Sequence, residues 1–238
     1  MQIKTLLCML LLSLCSIAAT AQTDGDFTFA INENAATLTA YTGAGGAVTI
    51  PDTATIEGTK YPVTAIGRYA FYQLPLISVE IPNSVTTIEY SAFMFCNDLM
   101  SVILGNSVET IGQDAFAHCS ALTSVILPNS LTSIESYAFH ECHELTSVTI
   151  GNSLTSIGES AFRGCSSLKL IEIPNSVTAI EKYAFALCFG LIDIYVFRQT
   201  PLDIPENVFL ALPLEEITLH VPEGTEAAYR AANPWKDF

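Results

Sequence analysis

The chain has 238 residues, of which 50% are hydrophobic and 14% are charged, a composition too apolar for an intrinsically disordered protein. Its formal net charge of −15, from 24 acidic and 9 basic side chains, leaves no basic stripe that could follow a phosphate backbone. We therefore predict no nucleic-acid partner.

The first 21 residues have the three regions of a secretory signal peptide. Lys4 gives a positive start, residues 6–18 are almost wholly apolar, and the sequence Ala19-Thr20-Ala21 is an A-x-A cleavage site. We predict a signal peptide over residues 1–21 and an exported protein that is secreted, periplasmic or held at the cell surface. No later stretch has the roughly 20 apolar residues of a membrane-spanning helix, so we predict no transmembrane segment.

Residues 22–60 are predicted to form an N-terminal capping β region. Apolar and polar side chains alternate between residues 27 and 50, which is the period of a strand with one buried face. A glycine-rich stretch at residues 43–46 interrupts this alternation, and glycine permits the backbone of a tight turn. We expect a hairpin around this turn that covers the first repeat.

Residues 61–212 are predicted to form a repeat array with units of 22–24 residues. An Ala-Phe pair marks six units and Val208-Phe209 marks a degenerate seventh, with the phenylalanines at Phe71, Phe93, Phe116, Phe139, Phe162, Phe185 and Phe209. A fixed period of this length is the signature of a solenoid, whose stacked units bury a continuous core. We predict an α/β solenoid with a parallel strand ribbon, capped at both ends.

Each unit follows the pattern L-x-x-V-x-I-P/G-N-S-V/L-x-x-I-x-x-x-A-F-x-x-C. The V-x-I part has the period of a strand, and Pro or Gly before Asn-Ser ends it. The Ala-Phe-x-x-Cys part has roughly helical spacing and predicts a short helix or 3₁₀ turn. Seven strands are expected, centred on Val79, Val102, Val125, Val148, Ile171, Ile194 and Ile217.

Residues 213–238 are predicted to hold the last strand and a C-terminal cap. The strand is expected to place Glu216 and Thr218 on the outward face. An alanine-rich stretch at residues 226–232 favours a short helix. Trp235 follows it and is expected to lie over the last repeat.

The repeat unit resembles a known family. The pattern I-P-N-S-V-T-x-I-E/G-x-x-A-F-x-x-C-x-x-L is similar to that of BspA-like leucine-rich repeat proteins, which are secreted or displayed on bacterial surfaces. The segments at residues 41–51 and 221–235 are similar to the terminal modules of that family. The resemblance implies a leucine-rich repeat array and a role in adhesion to proteins, mucosal surfaces or other bacteria. It implies no catalytic motif.

Five cysteines recur at one position of the unit, three residues after the phenylalanine: Cys96, Cys119, Cys142, Cys165 and Cys188. Cysteines of an exported protein raise the question of disulfides. Leu74 stands at the same position of the first unit, which indicates an inward position for a small apolar side chain. We favour a reduced column in the core, with a bridge between adjacent units as the alternative.

Histidines and acids crowd one unit, where residues 140–144 read His-Glu-Cys-His-Glu, and His118 lies one unit earlier. Imidazoles and carboxylates are metal ligands, but no second cluster completes a tetrahedral set. We therefore predict a solvated turn, no metal site and no cofactor. The sequence also lacks the G-x-S-x-G and H-E-x-x-H motifs, and we predict no catalytic residues and no enzyme activity.

The outward positions of the strand ribbon are the predicted ligand-binding face. They combine apolar, acidic and aromatic side chains, and the candidate residues are Glu80, Ile103, Ile126, Thr149, Leu170, Glu172, Asp193 and Tyr195. Exposed apolar groups on a rigid repeat surface are typical of an interaction site. A neighbouring row of Thr and Ser hydroxyls, from Thr86 to Thr178, is the second candidate surface.

Two functions are therefore open. The first is an extracellular module that binds a protein or glycan ligand. The second is a structural or scaffolding component of the bacterial envelope, in which the array serves as a spacer.

Overall fold

The structure is a computed structural model that describes residues 21–238. The predicted signal peptide lies outside the described residues, except for residue 21. The described chain is a β-solenoid of about eight stacked coils with little helix. Each complete coil contributes one strand to an eight-stranded ribbon and a shorter strand to a second sheet, and the core lies between the two.

Six strands precede the first complete coil: β1 (Gln22–Asp24), β2 (Phe27–Asn32), β3 (Ala35–Tyr41), β4 (Gly46–Thr49), β5 (Thr53–Ile56) and β6 (Thr59–Ile66). Strands β2 and β3 form an antiparallel hairpin, and β3 pairs with β6 in parallel. The predicted hairpin turn at residues 43–46 is wrong. The chain reverses instead at residues 33–34. Strand β4 belongs to the eight-stranded ribbon, where it pairs with β7 (Leu76–Glu80).

The eight-stranded ribbon, which we call the long-strand ribbon, continues in the repeats. Its further members are β9 (Ser101–Ile103), β11 (Ser124–Ile126), β13 (Ser147–Thr149), β15 (Leu170–Ile173), β17 (Asp193–Val196) and β18 (Thr218–His220). Neighbours are parallel and in register, so that Val125 lies opposite Val148. Because successive side chains of a strand alternate between its faces, the central apolar residue points inward, and it is buried in β9 to β17 and half-buried at Leu219 in β18. The predicted parallel ribbon is confirmed.

A second parallel ribbon is made of two-residue strands: β8 (Thr87–Ile88), β10 (Thr110–Ile111), β12 (Ser133–Ile134), β14 (Ser156–Ile157) and β16 (Ala179–Ile180). Each places its isoleucine in the core, as Ile111 and Ile134 do side by side. The sequence pattern predicts the buried residue here but no strand.

The Ala-Phe segments are turns with i→i+3 backbone hydrogen bonds, such as Cys119 N–H to the Phe116 carbonyl at 3.2 Å, so of the predicted short helix or 3₁₀ turn the helix is wrong. Two residues of each segment have a left-handed backbone, such as Asp114 (φ 56°) and His118 (φ 60°) around Phe116. A right-handed helix cannot pass through such residues. The backbone N–H of Phe116 therefore donates to Ala138 of the next coil, at 2.8 Å. The fold is a β-solenoid rather than α/β, and the helices of the described chain are one turn or less.

The core contains two columns that run along the solenoid. The repeat phenylalanines stack nearly parallel, with centroids 5.0 Å apart between Phe93 and Phe116 and 5.3 Å apart between Phe139 and Phe162. All five predicted inward cysteines are buried. The Cys142 thiol donates a hydrogen bond to the Phe116 carbonyl at 3.2 Å, and the other four cysteines make the equivalent bond.

The last strand lies two residues later than predicted. Leu219, and not Ile217, is opposite Ile194, because a 3₁₀ turn at Leu214–Glu216 lengthens this unit. A short helix α1 (Glu226–Tyr229) follows, and it covers only the first half of the predicted helical stretch. Trp235 is buried against the Phe209 ring, and its Nε1 donates to the Leu202 carbonyl at 2.7 Å.

Candidate binding face on the strand ribbon

The eight predicted binding residues all occupy outward positions of the long-strand ribbon. Five are exposed: Glu80, Ile103, Ile126, Thr149 and Glu172. Leu170, Asp193 and Tyr195 are half-buried. The strand register places Glu80 beside Ile103, Ile126 beside Thr149, and Glu172 beside Tyr195. Six of the residues therefore form one row across the strands, Leu170 and Asp193 form a pair in the neighbouring row, and their role in binding stays a prediction.

Ile103 and Ile126 are the apolar centre of this row. Their exposed fractions are 62% and 69%, the latter the highest of the large apolar side chains that the structure describes as exposed. Ser101 lies opposite Ser124, and the two isoleucines follow two residues later on the same face. Both line a shallow groove of about 320 Å³, with Pro128 at its edge.

The C-terminal end of the row is polar and aromatic. The His220 ring stacks on the Tyr195 ring with centroids 4.0 Å apart, and its Nε2 lies 2.7 Å from Asp193 Oδ1. Sequence reasoning missed His220, because it placed Thr218 in the position beside Tyr195. No sequence pattern marks the later register, in which Leu219 lies 25 residues after Ile194, whereas Ile194 lies 23 residues after Ile171. Acidic groups thus flank the apolar centre on both sides, with Glu80 at the other end.

In the second candidate surface, the row of hydroxyls, Thr side chains donate hydrogen bonds to backbone carbonyls of the preceding coil. The hydroxyl of Thr155 donates to the Thr132 carbonyl of the preceding coil at 2.9 Å, and that of Thr178 donates to the Thr155 carbonyl at 3.2 Å. Thr132 makes the equivalent bond to Glu109. Because each of these donors already serves a neighbouring coil, the row offers less to a ligand than the strand ribbon does.

Stacking of the turns brings His118 next to His140 and Glu141 of the following unit. Nδ1 of His118 lies 3.1 Å from Glu141 Oε2, and Nε2 of His140 lies 3.7 Å from Glu141 Oε1. Burial lowers the pKa of His140, although the Glu141 carboxylate opposes this shift. Burial also raises the pKa of the nearby Asp114 carboxyl. His143 and Glu144 of the same turn are exposed and do not join the group.

Over residues 21–238, the helices are all too short to cross a lipid bilayer.

Comparison with known proteins identifies the repeat. The family described as "BspA type Leucine rich repeat region" matches in six copies, over residues 64–192 and 109–225. The search of curated proteins returns no match.

Solved structures agree with this assignment. A leucine-rich cell surface protein from Faecalibacterium prausnitzii is 36% identical over 74% of this chain and 54% of its own, with a TM-score of 0.58. The chain therefore spans about half the length of that protein. A leucine-rich repeat protein from Bacteroides capillosus is 32% identical over 55% of this chain and 97% of its own, with a TM-score of 0.50. The pneumococcal vaccine antigen PcpA shares the fold at 22% identity, covering 79% of this chain and 51% of its own, with a TM-score of 0.64. This chain belongs to the BspA-type leucine-rich repeat family.

Proposed function

We propose that the protein is an exported binding module that holds a protein or glycan ligand on its long-strand ribbon. The observation that carries the proposal is the exposed pair Ile103 and Ile126 in one groove. Two large apolar side chains in water on adjacent strands favour a partner that covers them. Similarity to a bacterial cell surface protein supports a location at the surface or outside the cell.

The surroundings of the pair indicate what a ligand must offer. Serines lie beside both isoleucines on the same strands, and Glu80 and Glu172 extend the row on either side. A fitting ligand therefore has an apolar centre with hydrogen-bonding or basic groups around it. The residues of the face include no pair of nucleophile and base, so we propose binding without catalysis.

Terminal segments of the described chain fit the role of caps. Phe27 and Tyr41 lie between solvent and the first ring of the column, with 5.4 Å between the centroids of Tyr41 and Phe71. Trp235 and Phe238 pack edge-on against the last ring, Phe209. We propose that residues 22–60 and 213–238 protect the two ends of the array from solvent.

The test is a binding screen with the purified protein against matrix proteins, mucins and a glycan array. We expect saturable binding, and an Ile103→Glu/Ile126→Glu variant should lose at least about 100-fold in affinity. Each buried isoleucine contributes roughly 1.5–3 kcal/mol, and about 1.4 kcal/mol is a tenfold change. The matched control is Phe189→Glu/Leu210→Glu, which changes two exposed apolar residues of the turn segments in the same way.

Equal affinity of both variants would exclude the ribbon as the binding face. A second function, a structural spacer in the envelope, is favoured by the ladders of hydrogen bonds and stacked rings that run through all coils. It predicts a folded protein that finds no soluble ligand in the screen and is recovered with envelope components.

A further inference from the structure

We propose that His118, His140 and Glu141 form a binding site for a divalent transition-metal ion of the zinc class. This site lies on the turn side of the third and fourth repeats and is separate from the strand ribbon. It goes beyond the proposed function and does not depend on it.

The register of the solenoid brings the donors together. His118 and Glu141 occupy the same position of consecutive units, two residues after Phe116 and Phe139. Stacked coils therefore hold their side chains one above the other, and the His118 N–H donates to the His140 carbonyl at 2.7 Å to fix the spacing. His140 precedes Glu141 and approaches the same carboxylate from the side.

The distances suit one small ion. One donor atom from each of the three residues lies within 4.8 Å of the others. The two carboxylate oxygens of Glu141 each approach one imidazole, Oε2 at 3.1 Å from His118 Nδ1 and Oε1 at 3.7 Å from His140 Nε2. Ligand atoms of a tetrahedral zinc ion are about 3.3 Å apart, since each bond is about 2.0–2.1 Å long. The side chains need to move by less than the width of an atom to close around the ion, and water can take the fourth position.

Neighbouring groups orient the imidazoles. Nδ1 of His140 lies 3.1 Å from the Arg163 carbonyl, which can only accept, so Nδ1 carries the proton and Nε2 presents its lone pair to the site. The His118 ring stacks on Phe95 with centroids 4.4 Å apart and is held in one plane. A backbone acceptor behind one histidine and an aromatic ring behind the other are the kind of support that metal ligands have.

The next coil leaves space for the carboxylate. Gly164 stands beside Glu141 in the following unit, and a Cβ there would lie 3.1 Å from the Glu141 Cγ. The Asp114 carboxylate interacts with both histidines and adds negative charge to the site. The Arg163 guanidinium acts against this, since its positive charge repels a cation. The prediction of no metal site rested on the absence of a second cluster that completes a tetrahedral set, whereas the site proposed here uses three side chains and a water.

The experiment is calorimetric titration of the untagged protein with Zn²⁺, repeated with Mg²⁺ and Ca²⁺. We expect one saturable Zn²⁺ site per chain and no binding of the two oxygen-preferring ions at the same concentrations. Glu141→Gln and His118→Ala should each weaken Zn²⁺ binding by more than about 100-fold, because loss of a group that only orients a ligand already costs roughly 10–100-fold.

His143→Ala is the matched control, since His143 lies in the same turn but outside the group, with its Nδ1 toward the Gly164 carbonyl. It should keep the affinity of the unchanged protein. A second measurement is the Tm, which Zn²⁺ should raise in the unchanged protein and in His143→Ala but not in Glu141→Gln. Absence of saturable Zn²⁺ binding, or equal losses in all three variants, would overturn the proposal, and circular dichroism confirms that each variant is folded.

Discussion

The cysteine column combines burial with a hydrogen bond at a single repeated position. The Cys142 thiol is buried, and its only proton is donated to the Phe116 carbonyl. Burial raises the pKa of Cys142 to about 12, and that of Cys188 to about 12 as well. Since the thiolate is the reactive form, these side chains act as small core residues rather than as nucleophiles.

We expect the five repeat cysteines to react very slowly with a thiol-labelling reagent in the native protein. At about pH 8, a pKa of about 12 leaves roughly one thiol in 10,000 ionised, so labelling should be at least about 1,000-fold slower than in the unfolded chain. Peptide mapping by mass spectrometry assigns the label to each cysteine. The same reaction in denaturant is the control, and rapid labelling of Cys142 in the folded protein would contradict the assignment.

At the scale of single residues, the sequence predicts which side chains point inward and which point outward. Val125 and Ile126 differ by one position and end on opposite faces, because the period of a strand is two. The same reasoning found the inward cysteines and the eight outward residues. It failed at His220, because the register of the last strand depends on a 3₁₀ turn whose residues carry no clear signal.

At the scale of elements, strands were predicted well and turns were not. The left-handed positions around each Ala-Phe pair are occupied by Tyr, Ser, Asp, Gln, Phe, His, Glu or Leu, and only Gly164 shows the need for a positive φ. The spacing of Ala, Phe and Cys therefore matched a helix although the backbone forms turns. The two-residue strands were missed for another reason, since a strand of that length has no period to detect.

One turn position of the repeat is occupied by proline and glycine in alternate units, and the residue there controls how closely neighbouring coils approach. Gly105 lies against Pro82 of the preceding coil, and a Cβ at Gly105 would clash with the Pro82 carbonyl oxygen. We expect Gly105→Ala to lower the free energy of unfolding by about 1–3 kcal/mol, as added volume does in a packed interior. Denaturant unfolding measures the change.

The neighbouring exposed residue provides the control for Gly105→Ala. Asn106→Ala keeps the backbone N–H that donates to Asn83 Oδ1 at 2.7 Å, and it should change the unfolding free energy by less than about 0.5 kcal/mol. The φ of Gly105 is outside the left-handed region, so its effect is steric. If Gly105→Ala leaves the free energy of unfolding unchanged, the coils can separate locally without a loss of stability.

At the scale of the whole molecule, the solenoid is a one-dimensional assembly. Within the described residues, each central coil pairs with its two neighbours through both ribbons, and coils further apart share no strand pairing. Stability in such an array is close to a sum of coil and interface contributions. A defect in one place should therefore act on adjacent coils first, which a compact globular domain does not allow as readily.

Trp235 offers a direct test of this locality. Its ring is buried against Phe209 and Tyr229, and its indole N–H donates to the Leu202 carbonyl at 2.7 Å. Trp235→Ala removes this packing and leaves that carbonyl without its donor, so the segment around the last coil should lose about 3–5 kcal/mol of local stability. Because the defect lies at one end, we expect amide hydrogen exchange to accelerate over residues 200–220.

The central coils should keep their protection in the same variant, since the Phe116 ring stacks on Phe93 and Phe139 of the adjacent coils, far from the C-terminal segment. Lys236→Ala changes the exposed neighbour of Trp235 and should leave exchange as it is in the unchanged protein. Faster exchange spread evenly over all coils would mean that the array unfolds as one cooperative unit. In that case the C-terminal segment would hold the whole solenoid together, and the proposed binding face at Ile103 and Ile126 would depend on a segment about four coils away.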